Sequence, residues 1–242
     1  MRFALMIVMA MMVLLGQPRQ GWAAGCPDPA IKLDGLPPLT DSLHIVALGS
    51  SSTEGAGASE PAATYPARLE AALREAWPGR LVQVTNAGRS GETSAEMLAR
   101  LERDVLARRP QLVIWQAGGN EALRDGSPEG FRAVMAEGLA RLRRAGIPVV
   151  LMDNQRSPRL LAAARGPVFD AVLARLAGAG VALFSRAEAM RRWEAMGVGP
   201  LVGGDGLHQN DQGYACLARA LASALVRSAP WQRQVHAAQQ RP

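Results

Sequence analysis

A serine hydroxyl is a weak nucleophile at neutral pH and attacks a carbonyl only as a neighbouring base takes its proton. This chain has three histidines to offer as that base, His44, His208 and His236. His208 stands in Asp205-Gly206-Leu207-His208, where a carboxylate three residues upstream can accept the second imidazole N–H and fix the tautomer. His44 falls at the start of a short apolar run and His236 in a polar tail, so neither is the base. A hydroxyl-rich turn, Gly49-Ser50-Ser51-Ser52-Thr53-Glu54-Gly55, supplies the nucleophile. The charge that develops on a carbonyl oxygen needs preorganised donors, each worth ~3–4 kcal/mol of transition-state stabilisation. Candidates are the backbone N–H groups of Ser51 and Gly91 and the side-chain amide of Asn120, in the stretches Asn86–Thr93 and Gly118-Gly119-Asn120-Glu121. Taken singly, these stretches are turn and cap signals. Together they hold every group that acyl transfer requires.

The elements that must position them follow from periodicity. Short apolar runs at His44–Leu48, Leu81–Thr85, Leu112–Gln116, Val149–Met152 and Val181–Phe184 have the character of strands covered on both faces. Between them lie amphipathic patterns at Tyr65–Trp77, Ser94–Arg108, Pro128–Arg144, Val168–Leu176, Ala187–Met196 and Asp211–Arg227. This alternation predicts an α/β fold, a five-stranded parallel sheet with helices on both faces in three layers. Ligands bind such sheets outside the carboxyl ends of the strands. The serine turn follows the first predicted strand, Asn86–Thr93 the second and Gly118–Glu121 the third, while Asp205–His208 lies beyond the fifth.

Composition narrows the function further. The formal charge of +6 raises nucleic-acid binding, but most arginines alternate with carboxylates along helical patterns, as in Arg68, Glu70, Arg74 and Glu75, which is a solvated face. We therefore expect no nucleic-acid partner. No histidine pair has ligand spacing and the two cysteines are far apart, so no metal is expected. The glycine turn at 49–55 lacks the lysine of a phosphate-binding loop.

The chain opens with Met1-Arg2, an apolar run from Phe3 to Leu15 and small residues at Ala23-Ala24-Gly25. That is the pattern of a secretory signal peptide over residues 1–25, cleaved near 24–25. The run of about 13 residues falls short of the ~20 that a spanning helix needs. A Pro-rich arm over 26–42, one catalytic domain over 43–229 and a polar tail over 230–242, expected to be disordered, complete the organisation. A periplasmic or secreted location permits a disulfide between Cys26 and Cys216. Free thiols and a lipid anchor on Cys26, from the lipobox-like Ala-Ala-Gly-Cys, are the alternatives.

These motifs resemble the SGNH/GDSL hydrolases over about residues 43–225. The family's GDS-L-x-x-G turn is similar to Gly49–Gly55, its N-x-x-x-S-G-x-T to Asn86–Thr93, its G-x-N-D to Gly118–Glu121 and its D-x-x-H to Asp205–His208. Ser50 replaces the usual aspartate and Glu121 a frequent one. The resemblance implies the family's flavodoxin-like fold and a catalytic triad of Ser51, His208 and Asp205. It also implies an oxyanion hole of Ser51, Gly91 and Asn120, and hydrolysis of carboxylic esters through an acyl-enzyme, with no cofactor. Substrates in reach of an exported enzyme are small, glycan or lipid esters. The lack of a long apolar lid favours short acyl chains or O-acetylated glycans. An acyltransferase on the same triad, or a glycan- or acyl-binding relic without activity, is the alternative reading.

Overall fold

Five runs rich in Val, Ile and Leu form one parallel sheet because helices cover both of their faces. The computed structural model describes residues 25–37 and 42–228. Its strands are β1 (Ser42–Gly49), β2 (Leu81–Gly88), β3 (Leu112–Gln116), β4 (Val149–Met152) and β5 (Val181–Phe184), in the order β2-β1-β3-β4-β5. Four of the helices are short: α1 (Ser51–Glu54), α5 (Gly119–Leu123), α7 (Pro158–Ala162) and α4 (Leu101–Asp104). The remainder are α2 (Tyr65–Ala76), α3 (Ser94–Ala99), α6 (Pro128–Arg144), α8 (Gly166–Leu176), α9 (Arg186–Ala195) and α10 (Asp211–Arg227).

Period-two alternation assigns each strand residue to a face. Ile45, Ala47, Leu112, Ile114, Val150 and Met152 join the core beneath α2, α9 and α10. Val46, Leu48, Val113, Trp115, Val149 and Leu151 join the core beneath α3, α6 and α8. The three-layer α/β/α arrangement expected from the alternation is therefore the one observed. Succession reverses between β1 and β3: β1 leads outward to β2, and β3 leads the other way to β4 and β5. The crevice of such a sheet lies at that reversal, and the serine turn and the Gly118–Asn120 turn flank it.

Three expectations need correction. Strand β2 runs on through Asn86-Ala87-Gly88, read from sequence as part of a turn, because these residues stay in register with Ala47, Leu48 and Gly49 of β1. The pattern over 94–108 is not one helix. It breaks at Arg100 into α3, α4 and a 3-10 turn at Leu106–Arg108, and Arg100 is the residue whose side chain turns inward, buried to 6% exposure. Helix α8 begins at Gly166, two residues early, with Pro167 in its first turn where a missing N–H costs nothing.

The arm from Cys26 to Pro37 packs on α9 and α10. Ile31, Leu33 and Leu36 enter the core, Trp193 Nε1 donates to Pro27 O at 2.8 Å, and Asp28 pairs with Arg227 and accepts from Ser223 Oγ at 2.6 Å. The sulfurs of Cys26 and Cys216 are bonded, with Cα atoms 5.2 Å apart. The signal-peptide reading of residues 1–25, all but its last residue, and the tail 230–242 lie outside the described residues. Among the described residues no helix is long and apolar enough to cross a membrane, and no cluster of three or more His, Cys, Asp or Glu could hold a metal ion.

Candidate active site

The serine turn sits where it does because two glycines let it. Gly49 and Gly88 face each other at the ends of β1 and β2, and α1 lies directly on them. A Cβ on Gly49 would stand 2.1 Å from Thr53 Oγ1, and one on Gly88 2.0 Å from the Glu54 N. Nothing larger than hydrogen fits either position.

The three adjacent serines then separate by contact. Ser50, where the family pattern has aspartate, points inward: its N and Oγ both donate to Gln116 Oε1 at 3.1 Å. Ser52 Oγ is buried and faces Gln155 Oε1 at 3.4 Å. Ser51 Oγ meets His208 Nε2 at 2.8 Å. His208 Nδ1 lies 2.5 Å from Asp205 Oδ2, completing a continuous hydroxyl–imidazole–carboxylate chain.

The loop that carries Asp205 and His208 is closed on itself. Val202 and Gln209 form an antiparallel bridge, Gly203 N donates to His208 O at 2.8 Å, and Asp205 Oδ1 accepts from the Leu207 and His208 amides at 2.9 and 3.0 Å. Burial alone would raise the Asp205 pKa. The Leu207 amide, the imidazole and the His208 amide outweigh it and hold the carboxyl at about 2. Asp205 is thus ionised at any pH at which the protein would work, an acceptor for the ring.

The loop with Gly91 is tied down on both sides. Ser90 N donates to Glu54 Oε2 of α1 at 2.9 Å, Arg89 N donates to Gly49 O at 3.0 Å, and Asn120 Nδ2 donates to Glu92 O at 2.8 Å. Gly91 has φ +80°, the left-handed region that glycine enters without strain. Asn120 stands in the first turn of α5, which opens at Gly119 after Gly118, whose φ is +102°. The structure therefore brings the segments of Ser51, Gly91 and Asn120 together around one end of β1. Glu121, the second departure, faces away: buried, it accepts from Ser94 N at 2.5 Å and so holds the start of α3.

Arg100 braces these segments from beneath. Its guanidinium donates to Glu92 Oε2 at 2.6 Å, to Asp104 Oδ2 at 3.1 Å and to Gly49 O at 3.2 Å. Asp104 also receives Arg103 and Arg89. The Arg103 hydrogen bond, with the Arg100 bond against the pull of burial, holds its carboxyl at about 2.

Chains of known proteins fit this frame. A family described as the non-GDSL lipase-like family matches residues 39–230. The chain belongs to the non-GDSL lipase-like family. The name agrees with a serine turn that reads Gly49-Ser50-Ser51-Ser52, and the resemblance of the motifs to SGNH/GDSL hydrolases stands. Over 97 residues, 40% of this chain, it is 34% identical to Esterase TesA of Pseudomonas aeruginosa, and the match takes in 46% of that protein, under half its length. A crystal structure of TesA superposes on 75% of this chain and 97% of its own, with a TM-score of 0.64 and 26% identity. A two-domain esterase active on acetylated mannans, co-crystallized with mannopentaose, superposes on 79% of this chain and half of its own, with a TM-score of 0.65 and 22% identity, a likeness of fold.

Gln116, Gln155 and Arg100 are site-supporting residues to which the serine, glycine and histidine motifs give no pointer. The signal for the glutamines is positional. Gln116 ends the third apolar run and Gln155 follows closely on the fourth, the strand end that carries no motif. Arg100 has no such signal, since an arginine inside an amphipathic pattern reads as surface.

Proposed function

We propose that the protein hydrolyses carboxylic esters through an acyl-enzyme on Ser51, with His208 as general base and acid and Asp205 as its orienting carboxylate. The observation that carries this is the unbroken contact from Ser51 Oγ through His208 to Asp205. As Ser51 Oγ bonds to the ester carbonyl carbon, its proton passes to His208 Nε2, and Asp205 stabilises the imidazolium. The carbonyl oxygen takes up negative charge, facing the Ser51 and Gly91 amides and the second N–H of the Asn120 amide. Collapse breaks the bond to the alcohol oxygen, which leaves with the proton from His208. A water then loses a proton to His208, attacks the acyl carbon and releases the acid, and Ser51 recovers its proton.

An O-acetylated glycan or another short-chain ester is the substrate class we infer. Its support is the fold shared with the mannan esterase, together with a groove beside α1 that carries Glu54, Glu60 and Asn86 among alanines and prolines. The paired Cys26 and Cys216 support an oxidising compartment, periplasmic or extracellular, over a lipid anchor on Cys26.

The test is hydrolysis of p-nitrophenyl esters of increasing chain length by the protein from residue 26 onward, beside Ser51→Ala. Turnover highest on acetate and lost in the folded variant is the expected result. Retained turnover in Ser51→Ala overturns the nucleophile. No turnover by the unaltered protein overturns the hydrolase reading.

A further inference from the structure

Ser51 and His208 are 157 residues apart in sequence, on a turn after β1 and a loop after β5, and their segments meet further along, where Tyr214 Oη donates to Ala56 O at 2.6 Å and Ser59 N to Asp211 Oδ1 at 2.9 Å. The Asp205–His208 loop is closed by its own bridge and carboxylate contacts, and the serine turn by Gln116. A proton moves between the two residues only at hydrogen-bond distance. Those ties lie several residues from the reacting pair, so the spacing at Ser51 and His208 calls for one beside them.

We propose that Gln155 supplies it, a positioning residue that holds the serine turn and the histidine loop in register beside the reacting pair; the proposal rests on the reading of Ser51 and His208 as nucleophile and base. Gln155 follows β4, is 5% exposed and uses both ends of its amide. Oε1 faces Ser52 Oγ at 3.4 Å, on the residue next to the nucleophile. Nε2 donates to Leu207 O at 3.0 Å, on the residue next to the base. The peptide that carries Leu207 O is pinned from its other side by its own N–H, that of His208, which donates to Asp205 Oδ1 at 3.0 Å. The same β4–α7 segment grips the loop once more, with Arg159 N donating to Gly206 O at 3.0 Å. One planar amide, which carries an acceptor and donors at a fixed separation, thus touches the neighbour of each reacting residue without touching the reacting atoms.

Gln155→Met keeps length and volume and removes both hydrogen bonds. Gln155→Glu keeps the acceptor toward Ser52 and, ionised, cannot donate to Leu207 O; it is the working variant should the methionine protein fail to fold. Because a misplacement of about 1 Å can cost ~10²-fold in rate, kcat on p-nitrophenyl acetate should fall roughly 10–100-fold with KM within about twofold and the circular dichroism spectrum retained. The nitrogen resonance of His208 Nε2, which faces Ser51 Oγ across the gap, should shift in the folded variant, while the Nδ1–H resonance, held by Asp205 inside the loop, stays. A kcat within about threefold of the unaltered protein overturns the proposal, as does a fall in KM-normalised rate that comes entirely from KM. An unchanged Nε2 resonance overturns it whatever the esterase assay gives, so failure of the proposal is read separately from failure of the hydrolase reading, which shows as no turnover by the unaltered protein.

Discussion

Ser50, Ser51 and Ser52 carry the same hydroxyl and differ only in what it reaches: Gln116, His208 and Gln155 in turn. At this scale the sequence was legible where chemistry demands a particular atom. The serine turn, the Asp205–His208 spacing and the Asn120 amide all stood out because few other residue types could do their work. Three neighbouring serines could not be told apart from spacing, since their directions are set by α1 resting on Gly49 and Gly88. The two departures from the family pattern, Ser50 and Glu121, resolve into hydrogen bonds that support the turn and α3 and leave the reacting face alone. Ser51→Ala should abolish ester turnover while the protein stays folded, measured with the p-nitrophenyl series. Asn120→Ala should lower kcat by roughly 10²–10³-fold if its amide faces the oxyanion; kcat unchanged, with KM raised instead, would take Asn120 out of that role.

Arg100 shows what periodicity leaves unread at the scale of elements. The apolar spacing over 94–108 is that of one helix, and the chain breaks where a buried guanidinium is drawn to Gly49 O and Glu92. Tertiary contact overrides local pattern here. The same is true of β2, prolonged by three residues because β1 continues beside it, whereas β3, β4 and β5 end where their apolar runs end. Helix α6 needed no tertiary help to be found: Ser127 caps it by accepting from Gly130 N at 3.1 Å, and Pro128 follows at once. Arg100→Met should expose the value of the brace. It leaves Glu92 and Asp104 without their buried partner, and breaking such a pair from one side costs ~3–5 kcal/mol, or roughly 6–20 °C in Tm for a chain of this size. Thermal unfolding checks this, and a Tm shift under a few degrees would mean that Arg103 and Arg89 suffice for Asp104.

Across the whole molecule, charge and covalent closure act on stability together. Burial pushes the Asp153 carboxyl up to about 6, although Ser185 Oγ and the Ala187 amide both donate to it. Below its ordinary value of 3.8 the group is protonated folded and unfolded alike and costs nothing. As pH rises toward about 6 the unfolded chain has already released the proton, so the fold is penalised. Asp104 and Asp205, each held at about 2, work the other way: their contribution is complete above 3.8 and lost as pH falls toward 2. The Tm of Asp153→Asn minus that of the unaltered protein should therefore increase between pH 4 and 6; a flat difference would show that Arg186, buried beside Asp153 and donating to its carbonyl at 3.1 Å, cancels the penalty. Reduction of the Cys26–Cys216 bond should remove ~2–4 kcal/mol, a Tm lower by roughly 4–16 °C in dithiothreitol. No shift on reduction would mean that Asp28, Arg227 and Trp193 hold the arm unaided. That bond joins positions 190 residues apart, so nearly every working part of the protein lies on a covalent ring. A protease that cut the exposed turn after α9, at Met196 or Gly197, would open the ring and release nothing: both pieces would migrate as one species until a reductant was added, with Ser51 and His208 still on the same molecule.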